Sequence, residues 1–286
     1  DADAELVVTR ADEVDDLIAL GRSARLHVKL DSGMGRLGEP DPDVARGLCD
    51  RIAAADGLRL VGVMTHFATA DEDDDRWMQA QLERFRGFAD AVRADHPGVI
   101  AHAANSAATL REPASHFDMV RTGIAIYGLD PFHVDPEPHG LEPALRWTSR
   151  LAAVKPCRVG EAVGYARRFV AEAPTTIGTV AVGYGDGVRR ALTFADPPAE
   201  VLIGGHRVPL AGTVSMDSFA VDLGVETTAA IDDEVVLIGR DGDERILAED
   251  VAARQGTINY EVTCAVSPRV PRVHHRDGTP LPAAGP

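Results

Sequence analysis

Two periods of apolar residues succeed one another along this chain. In the first half, short apolar runs alternate with segments whose apolar positions recur every three or four residues. Leu26 to Leu30 and Leu58 to Met64 read as strands, and Val99 to Ala103 and Met119 to Val120 as further ones. Between them Met78, Leu82, Phe85, Ala89 and Val92 stand at spacings of 4, 3, 4 and 3, the stripe of an amphipathic helix. Thr9-Arg10-Ala11-Asp12 reads as a capping box opening a helix toward Leu20. Asp41 followed by Pro42 predicts an N-cap and first turn of a helix to about Ala55. A short helix is expected from Ser106 to Leu110. This strand–helix alternation implies a parallel sheet with crossover helices.

From about residue 143 the texture is different. Trp147 to Val154, Thr176 to Val182, Val201 to Ile203, Phe219 to Asp222 and Glu234 to Ile238 are short β-rich runs. Turn signals separate them, such as Gly204-Gly205 and Asp241-Gly242-Asp243. A second, mainly antiparallel domain with one helix near Ala248 to Arg254 is expected. The boundary falls in the proline-rich stretch Pro131 to Pro143, giving domains 1–140 and 141–286. The tail after Arg276 is expected to fray.

Composition narrows the function. The chain has 286 residues, 45% of them apolar, enough for a real core. Its formal charge of −16 argues against nucleic acid or an anionic membrane as partner. No apolar run approaches the roughly 18 residues of a membrane helix. Three scattered cysteines, Cys49, Cys157 and Cys264, suit neither a disulfide scaffold nor a metal site, so a reduced, cytoplasmic protein is expected. Asp1-Ala2-Asp3-Ala4-Glu5 lacks the pattern of a signal peptide, and the missing Met suggests processing or a longer reading frame. Asp71-Glu72-Asp73-Asp74-Asp75 lacks calcium-loop spacing and reads as the cap of a helix starting near Arg76. His274-His275 has no partner cluster, so no metal is expected.

Candidate chemistry gathers where the first-half strands end. Asp31-Ser32-Gly33-Met34-Gly35-Arg36 follows Leu30, and Thr65-His66 follows Met64. Asn105-Ser106 follows Ala104, and Arg121-Thr122-Gly123 follows Val120. Four polar segments in series, two of them with glycine, predict a site on one face, where α/β sheets and barrels build theirs.

At these loops the chain resembles alanine racemase, a fold-type III enzyme using pyridoxal 5'-phosphate (PLP). The matching segments run in order: His27 to Gly38, Met64 to Ala68, Asn105 to Ala108, Val120 to Ile124 with Tyr127-Gly128, and Val163-Gly164-Tyr165. They continue with Gly183 to Gly187, Val214-Ser215-Met216-Asp217, Gly256 to Glu261 and Arg269 to Arg272. The resemblance implies an incomplete (β/α)8 TIM-type barrel that binds PLP, followed by a mainly β C-terminal domain. It implies interconversion of L- and D-alanine for peptidoglycan precursors by two-base abstraction of the α-proton, in a homodimer whose sites are shared between subunits.

The resemblance also assigns residues. Tyr165 matches the tyrosine base, which reaches the other subunit's barrel. Arg121 matches the arginine on the pyridine nitrogen; an arginine does not readily give up a proton, so it keeps that nitrogen unprotonated. Asn105, Ser106, Gly123, Ile124 and Tyr260 lie around the phosphate, and His66 near the ring. Arg36 binds the substrate carboxylate as a planar bidentate donor. Met216 offers its main-chain amide there with Asp217 beside it, and Tyr184 lines the entrance or contacts the substrate. Lys29 matches a lysine carbamylated in some members, an ordinary lysine being the other reading.

Two departures stand out. The family's Schiff-base lysine, in a Lys-Ala-Asn-Ala-Tyr-Gly-His-Gly-like motif, has no counterpart, and the two lysines present, Lys29 and Lys155, occupy other positions. Some three N-terminal βα units appear absent at about 31 residues per unit, so an N-terminally truncated racemase, inactive by itself, is expected. The alternatives are a non-catalytic scaffold or partner half that has lost the lysine, and a related decarboxylase or broad-specificity racemase. Thr213 also replaces an arginine common before the Val-x-Met-Asp segment, which puts one surface contact in doubt.

Overall fold

The computed structural model describes residues 4–276 and 278–281. Residues 1–3, 277 and 282–286 lie outside the described residues; the fraying expected after Arg276 does not hold for Thr279 and Pro280, which pair with Arg276 and His275 in a two-stranded antiparallel sheet. The chain separates into two compact units, residues 1–126 and 127–286.

The first unit holds a four-stranded parallel sheet in the order β1 (Glu5–Val8), β2 (Ala24–Lys29), β3 (Leu58–Met64), β4 (Ile100–His102). Each crossover carries a helix: α1 (Ala11–Leu20), α2 (Pro42–Ala54) and α3 (Arg76–Asp95). This is the βα pattern of an incomplete barrel. Asp41 caps α2, its carboxylate accepting from the amides of Asp43 and Val44, with Pro42 at the first position. All five stripe residues of α3 are buried. The N-cap of α3 is Asp75, whose side chain makes no capping bond, and the Asp74 carboxylate accepts the Arg76 amide (3.2 Å) in its stead.

Three local expectations shift. The box at α1 is closed by Glu13, not Asp12: its carboxylate accepts the amides of Thr9 (2.6 Å) and Arg10 (3.2 Å). Leu30 leaves β2 and makes a single bridge to Glu39, because the chain turns there into its glycine loop. Met119–Val120 is not a strand. Met119 bridges His102 and the amides of Asp118 and Arg121 donate to Ala101 and Ala104, but the Asp118 carboxylate takes the Ala101 amide and interrupts the ladder. The short helix α4 (Ser106–Arg111) forms as expected.

The second unit is built on a seven-stranded antiparallel sheet. Its strands are β5 (Trp147–Cys157), β8 (Thr175–Val180), β9 (Glu200–Ile203), β10 (His206–Pro209), β11 (Phe219–Asp222), β12 (Glu234–Asp241) and β13 (Glu244–Ile246). Their order is β10-β9-β12-β5-β8-β11, with β13 paired to β12. A separate hairpin joins β6 (Ala162–Val163) and β7 (Phe169–Val170). Leu151, Ile177, Leu202, Val221 and Val236 fill the core. Helix α5 (Ala248–Gln255) matches expectation, whereas α6 (Asn259–Ala265) is one the periodicity does not reveal. Its first residue, Asn259, is fully buried and donates to the Asp130 carbonyl (2.7 Å) and the Glu249 carboxylate (2.8 Å). That polar tether holds so short a helix in place. The three cysteines are unpaired thiols. Among the described residues no helix is long and apolar enough to cross a membrane, and no metal-ligating cluster occurs.

Candidate active site

In the first unit the loops after β2 and β3 are fixed by a buried polar network. The Thr65 hydroxyl donates to the Leu30 carbonyl (2.9 Å) and bonds the Ser32 hydroxyl (2.7 Å). Gln81, inside α3, donates to Ser32 and to the His66 carbonyl, both at 3.2 Å, and accepts the Ala68 amide. Asp31 shapes the next turn, one carboxylate oxygen accepting the amides of Gly33, Met34 and Gly35. Burial pushes the Asp31 carboxyl up, but these amides outweigh it and hold it below the usual range. The ionised aspartate thus stiffens the loop that presents Arg36, whose side chain is exposed. Lys29, at the end of β2, is buried, and its ammonium is disfavoured first by burial and then by Arg36 and Arg121.

Arg121 is the centre of this group. Its NH2 reaches the carbonyls of Thr65 (2.7 Å) and Ala103 (3.1 Å) and His66 Nδ1 (3.2 Å), and its NH1 donates to His102 Nδ1 (2.9 Å). Among the described residues no carboxylate bonds the guanidinium, and burial lowers its pKa to about 10, so it remains a cation at neutral pH. A guanidinium has five N–H donors. Among the described residues its Nε–H and the second NH1 hydrogen have no partner. Two unpartnered donors on a half-buried cation suit a neutral ring nitrogen.

Asn105 and Ser106 lie at the start of α4. Asn105 is the N-cap, its side chain accepting the Ala108 amide (3.0 Å). Ser106 is buried, and its hydroxyl oxygen accepts the amides of Gly123 (3.0 Å) and Ala125 (3.3 Å). The Gly123 amide, expected to face the phosphate, is therefore already engaged. Ile124 is buried, and its amide has no partner among the described residues. The first amides of α4 have no partner within the helix either, because the first turn of any helix leaves them free.

His66 is partly buried, and burial, then Arg121, Arg36 and Lys29, lower its pKa to about 4. His102 is driven to about 3 by burial and then by Arg121. Both are neutral in the folded chain, while an unfolded histidine titrates near 6.5. The unfolded state therefore binds more protons below that pH, and stability falls as pH drops from about 6.5 toward 4. Each fully depressed histidine contributes a slope of about 1.4 kcal/mol per pH unit, less for the partly exposed His66. Urea midpoints of the chain are expected to fall steadily between pH 7 and 4.5 and to flatten in His102→Gln. A flat wild-type profile would contradict these environments.

In the second unit three loops meet. Tyr165 follows Gly164 (φ 71°), and Ala166 and Arg167 next to it also hold positive φ, 59° and 49°. Such left-handed non-glycine residues cost of order 1–2 kcal/mol each. Thr213 holds this strained turn: it is buried, and its hydroxyl donates to the Tyr165 carbonyl (2.8 Å). Far from a lost surface contact, Thr213 is the anchor of the tyrosine turn. The Tyr165 side chain itself is 74% exposed. The amides of Tyr184 and Gly185 donate to the carbonyls of Ser215 (2.9 Å) and Met216 (2.8 Å), joining the loops at 183–187 and 214–217. Arg269 ties them again by binding Asp186 (2.6 Å) and Asp217, which holds the Asp186 carboxyl below its usual range. The Met216 amide has no partner among the described residues. Tyr260 stands apart on α6, its ring 5.9 Å from that of His133.

Comparison with known proteins decides the family. A family model described as alanine racemase, N-terminal domain, matches residues 1–131, and one described as alanine racemase, C-terminal domain, matches residues 144–274. The chain is 42% identical over 256 residues to an alanine racemase of Symbiobacterium thermophilum, covering 89% of this chain and 67% of that protein. The chain belongs to the alanine racemase family. An alanine racemase of Frankia casuarinae is 45% identical over 259 residues, 88% of this chain and 66% of the relative. The chain thus spans about two thirds of the length of these curated relatives. Among solved structures, alanine racemase from E. faecalis superposes with a TM-score of 0.87 at 35% identity, over 96% of this chain and 73% of that one. The Bacillus anthracis enzyme with bound L-Ala-P gives 0.85 at 38% identity, over 98% and 72%.

The alanine racemase family is PLP-dependent. The residues present fit that cofactor: Arg121 offers unpartnered donors without a carboxylate that would protonate a ring nitrogen, and the Ile124 amide and the α4 start offer unpartnered amides. Sequence reasoning missed Thr65, Gln81, His102 and Thr213 as the groups that hold Arg121, His66 and Tyr165. His27-x-Lys29 carries one readable signal, since alternate residues of a strand share a face.

Proposed function

We propose that this chain is the larger part of an alanine racemase that interconverts L- and D-alanine in the cytoplasm to supply D-alanine for cell-wall precursors. The observation that carries this reading is Arg121, a half-buried cation bonded to carbonyls and histidines with no acid bonded to it among the described residues. A decarboxylase of the same fold type would be expected to place an acid there. A scaffold that had lost its chemistry would not be expected to keep Arg36, Arg121 and Tyr165 together.

Bound PLP supplies the electron sink that makes the α-proton of alanine removable. Arg121 holds the ring nitrogen without giving it a proton. Ser106, Ile124 and Tyr260 hold the phosphate, with Asn105 and Gly123 shaping that corner, and His66 lies against the ring. Arg36 binds the substrate carboxylate, assisted by the Met216 amide beside Asp217. Lys29, pushed toward its neutral amine, is suited to add through its nitrogen to carbon dioxide with loss of one N–H proton to water; the resulting carbamate anion would pair with Arg36 and steady it. Tyr165 takes or returns the proton on one face, within a homodimer in which it serves the partner subunit's barrel, and Tyr184 lines the entrance. The base for the other face is the family's Schiff-base lysine, which has no counterpart among these 286 residues.

That last point gives the test. After PLP and borohydride, peptide mapping of the 286-residue chain is expected to show no stoichiometric pyridoxyl label on Lys29 or Lys155, and alanine is not expected to racemise above the free-cofactor rate. A segment carrying the family's lysine motif, fused or added as a peptide, is expected to bring label and activity together, its strands docking by burial of apolar surface. Stoichiometric labelling of Lys29 with racemisation by the chain alone would overturn this reading.

A further inference from the structure

Behind Arg121 a line of hydrogen bonds crosses the parallel sheet from β4 to β1. Arg121 NH1 meets His102 Nδ1 at 2.9 Å, His102 Nε2 meets His27 Nδ1 at 2.9 Å, and His27 Nε2 meets Glu5 Oε2 at 2.9 Å. Arg25 donates to the other Glu5 oxygen (3.0 Å), so the far end is held twice. The two imidazoles lie edge to face, their centroids 4.9 Å apart and their planes at 78°. Both rings are buried, while Glu5 is exposed.

We propose that Glu5, His27 and His102 form a positioning array for Arg121, in which both imidazoles are neutral and carry their proton on Nε2. This deepens the reading of Arg121 as the partner of the cofactor ring and rests on it. A guanidinium can only donate, so His102 Nδ1 must accept and its Nε2 must carry the hydrogen. His27 Nδ1 then accepts, leaving its Nε2–H to donate to the carboxylate. Each link dictates the next, and an ionised acceptor at the end makes the last bond the strong one. Together with the carbonyls of Thr65 and Ala103, the array fixes the guanidinium plane and leaves Nε–H without a partner among the described residues. The low pKa of His102 and the lowered pKa of Glu5, whose largest cause is the His27 bond, agree with these charge states.

The sheet is cut to admit this line. A Cβ on Gly62 of β3 would stand 2.1 Å from His27 Nδ1 and 2.5 Å from its Cε1, so only glycine lets the ring reach His102. The β2–β3 pairing also slips between Leu26 and His27, where that ring departs.

The test is nitrogen-15 NMR of the 286-residue chain labelled in histidine and arginine, at pH 7. His27 and His102 are expected as neutral Nε2–H tautomers; an Nδ1–H tautomer or an imidazolium at either overturns the array. Glu5→Gln keeps an acceptor and is expected to preserve the His27 tautomer, whereas Glu5→Ala is expected to give a tautomer mixture. Unchanged tautomers in Glu5→Ala and in Gly62→Ala would overturn the proposal. Excess PLP is expected to move the Arg121 Nε signal in the wild type and several-fold less in Glu5→Ala. If the tautomers are as stated and PLP moves nothing, the array stands and the assignment of Arg121 to the cofactor fails; an equal movement in both proteins removes the array and keeps that assignment.

Discussion

Tyr165→Phe, in the racemase completed by its lysine-bearing segment, is expected to slow α-proton exchange from L-alanine by about 10²- to 10⁴-fold. Exchange from D-alanine is expected to fall far less. The change removes one oxygen from a side chain that is 74% exposed, so no packing is lost with it. Its backbone stays pinned, because the anchoring bond runs from the Thr213 hydroxyl to the Tyr165 carbonyl, which phenylalanine keeps. A loss confined to one enantiomer therefore reports the proton-carrying role, with stability and cofactor affinity unchanged as internal controls. Deuterium exchange of each enantiomer measured by NMR separates the two directions. Equal, small losses from both would remove Tyr165 from the chemistry.

The parts of the fold legible in the sequence are those whose signal is local. Leu58 to Met64 and Phe219 to Asp222 form strands with the bounds their apolar pattern suggests, and Asp41-Pro42 begins its helix where cap chemistry places it. Arg121 is singled out by its place in a polar segment that matches the family's motif, although the strand expected just before it does not form. The support beneath it was not legible. His27 and His102 are 75 positions apart and meet only because β2 and β4 flank Gly62 in one sheet. Pairings between strands of a parallel sheet leave no periodicity in the chain. Helix α6 was missed because two turns are too few for a stripe, and because a buried asparagine holds it. Thr213 was misread for a related cause: as one residue it looks like a lost arginine, and its value appears only once the turn 48 positions earlier lies against it.

Arg121→Glu should reveal what the array and the carbonyls were holding. The guanidinium covers two backbone carbonyls and the acceptor nitrogen of His102. A carboxylate put in its place faces only acceptors, so it is pushed toward its protonated form. As an acid it can donate to a ring nitrogen and, unlike arginine, surrender the proton. Racemisation is expected to fall by at least about 10²-fold, the usual cost of losing one directed donor, while transamination rises, seen as pyruvate and pyridoxamine phosphate. Stability is expected to drop by about 1–3 kcal/mol, the cost of leaving hydrogen-bonding groups unsatisfied. Arg121→Lys separates these effects, since it keeps the cation but loses the planar fork; it should lose racemisation without gaining pyruvate. The histidines supply a further mark. With an acceptor at position 121 the logic of the line reverses at its first link, and His102 is expected to turn its proton to Nδ1. Near-normal racemisation in Arg121→Glu, with the His102 tautomer unmoved, would show that neither the charge at 121 nor the line behind it governs the reaction.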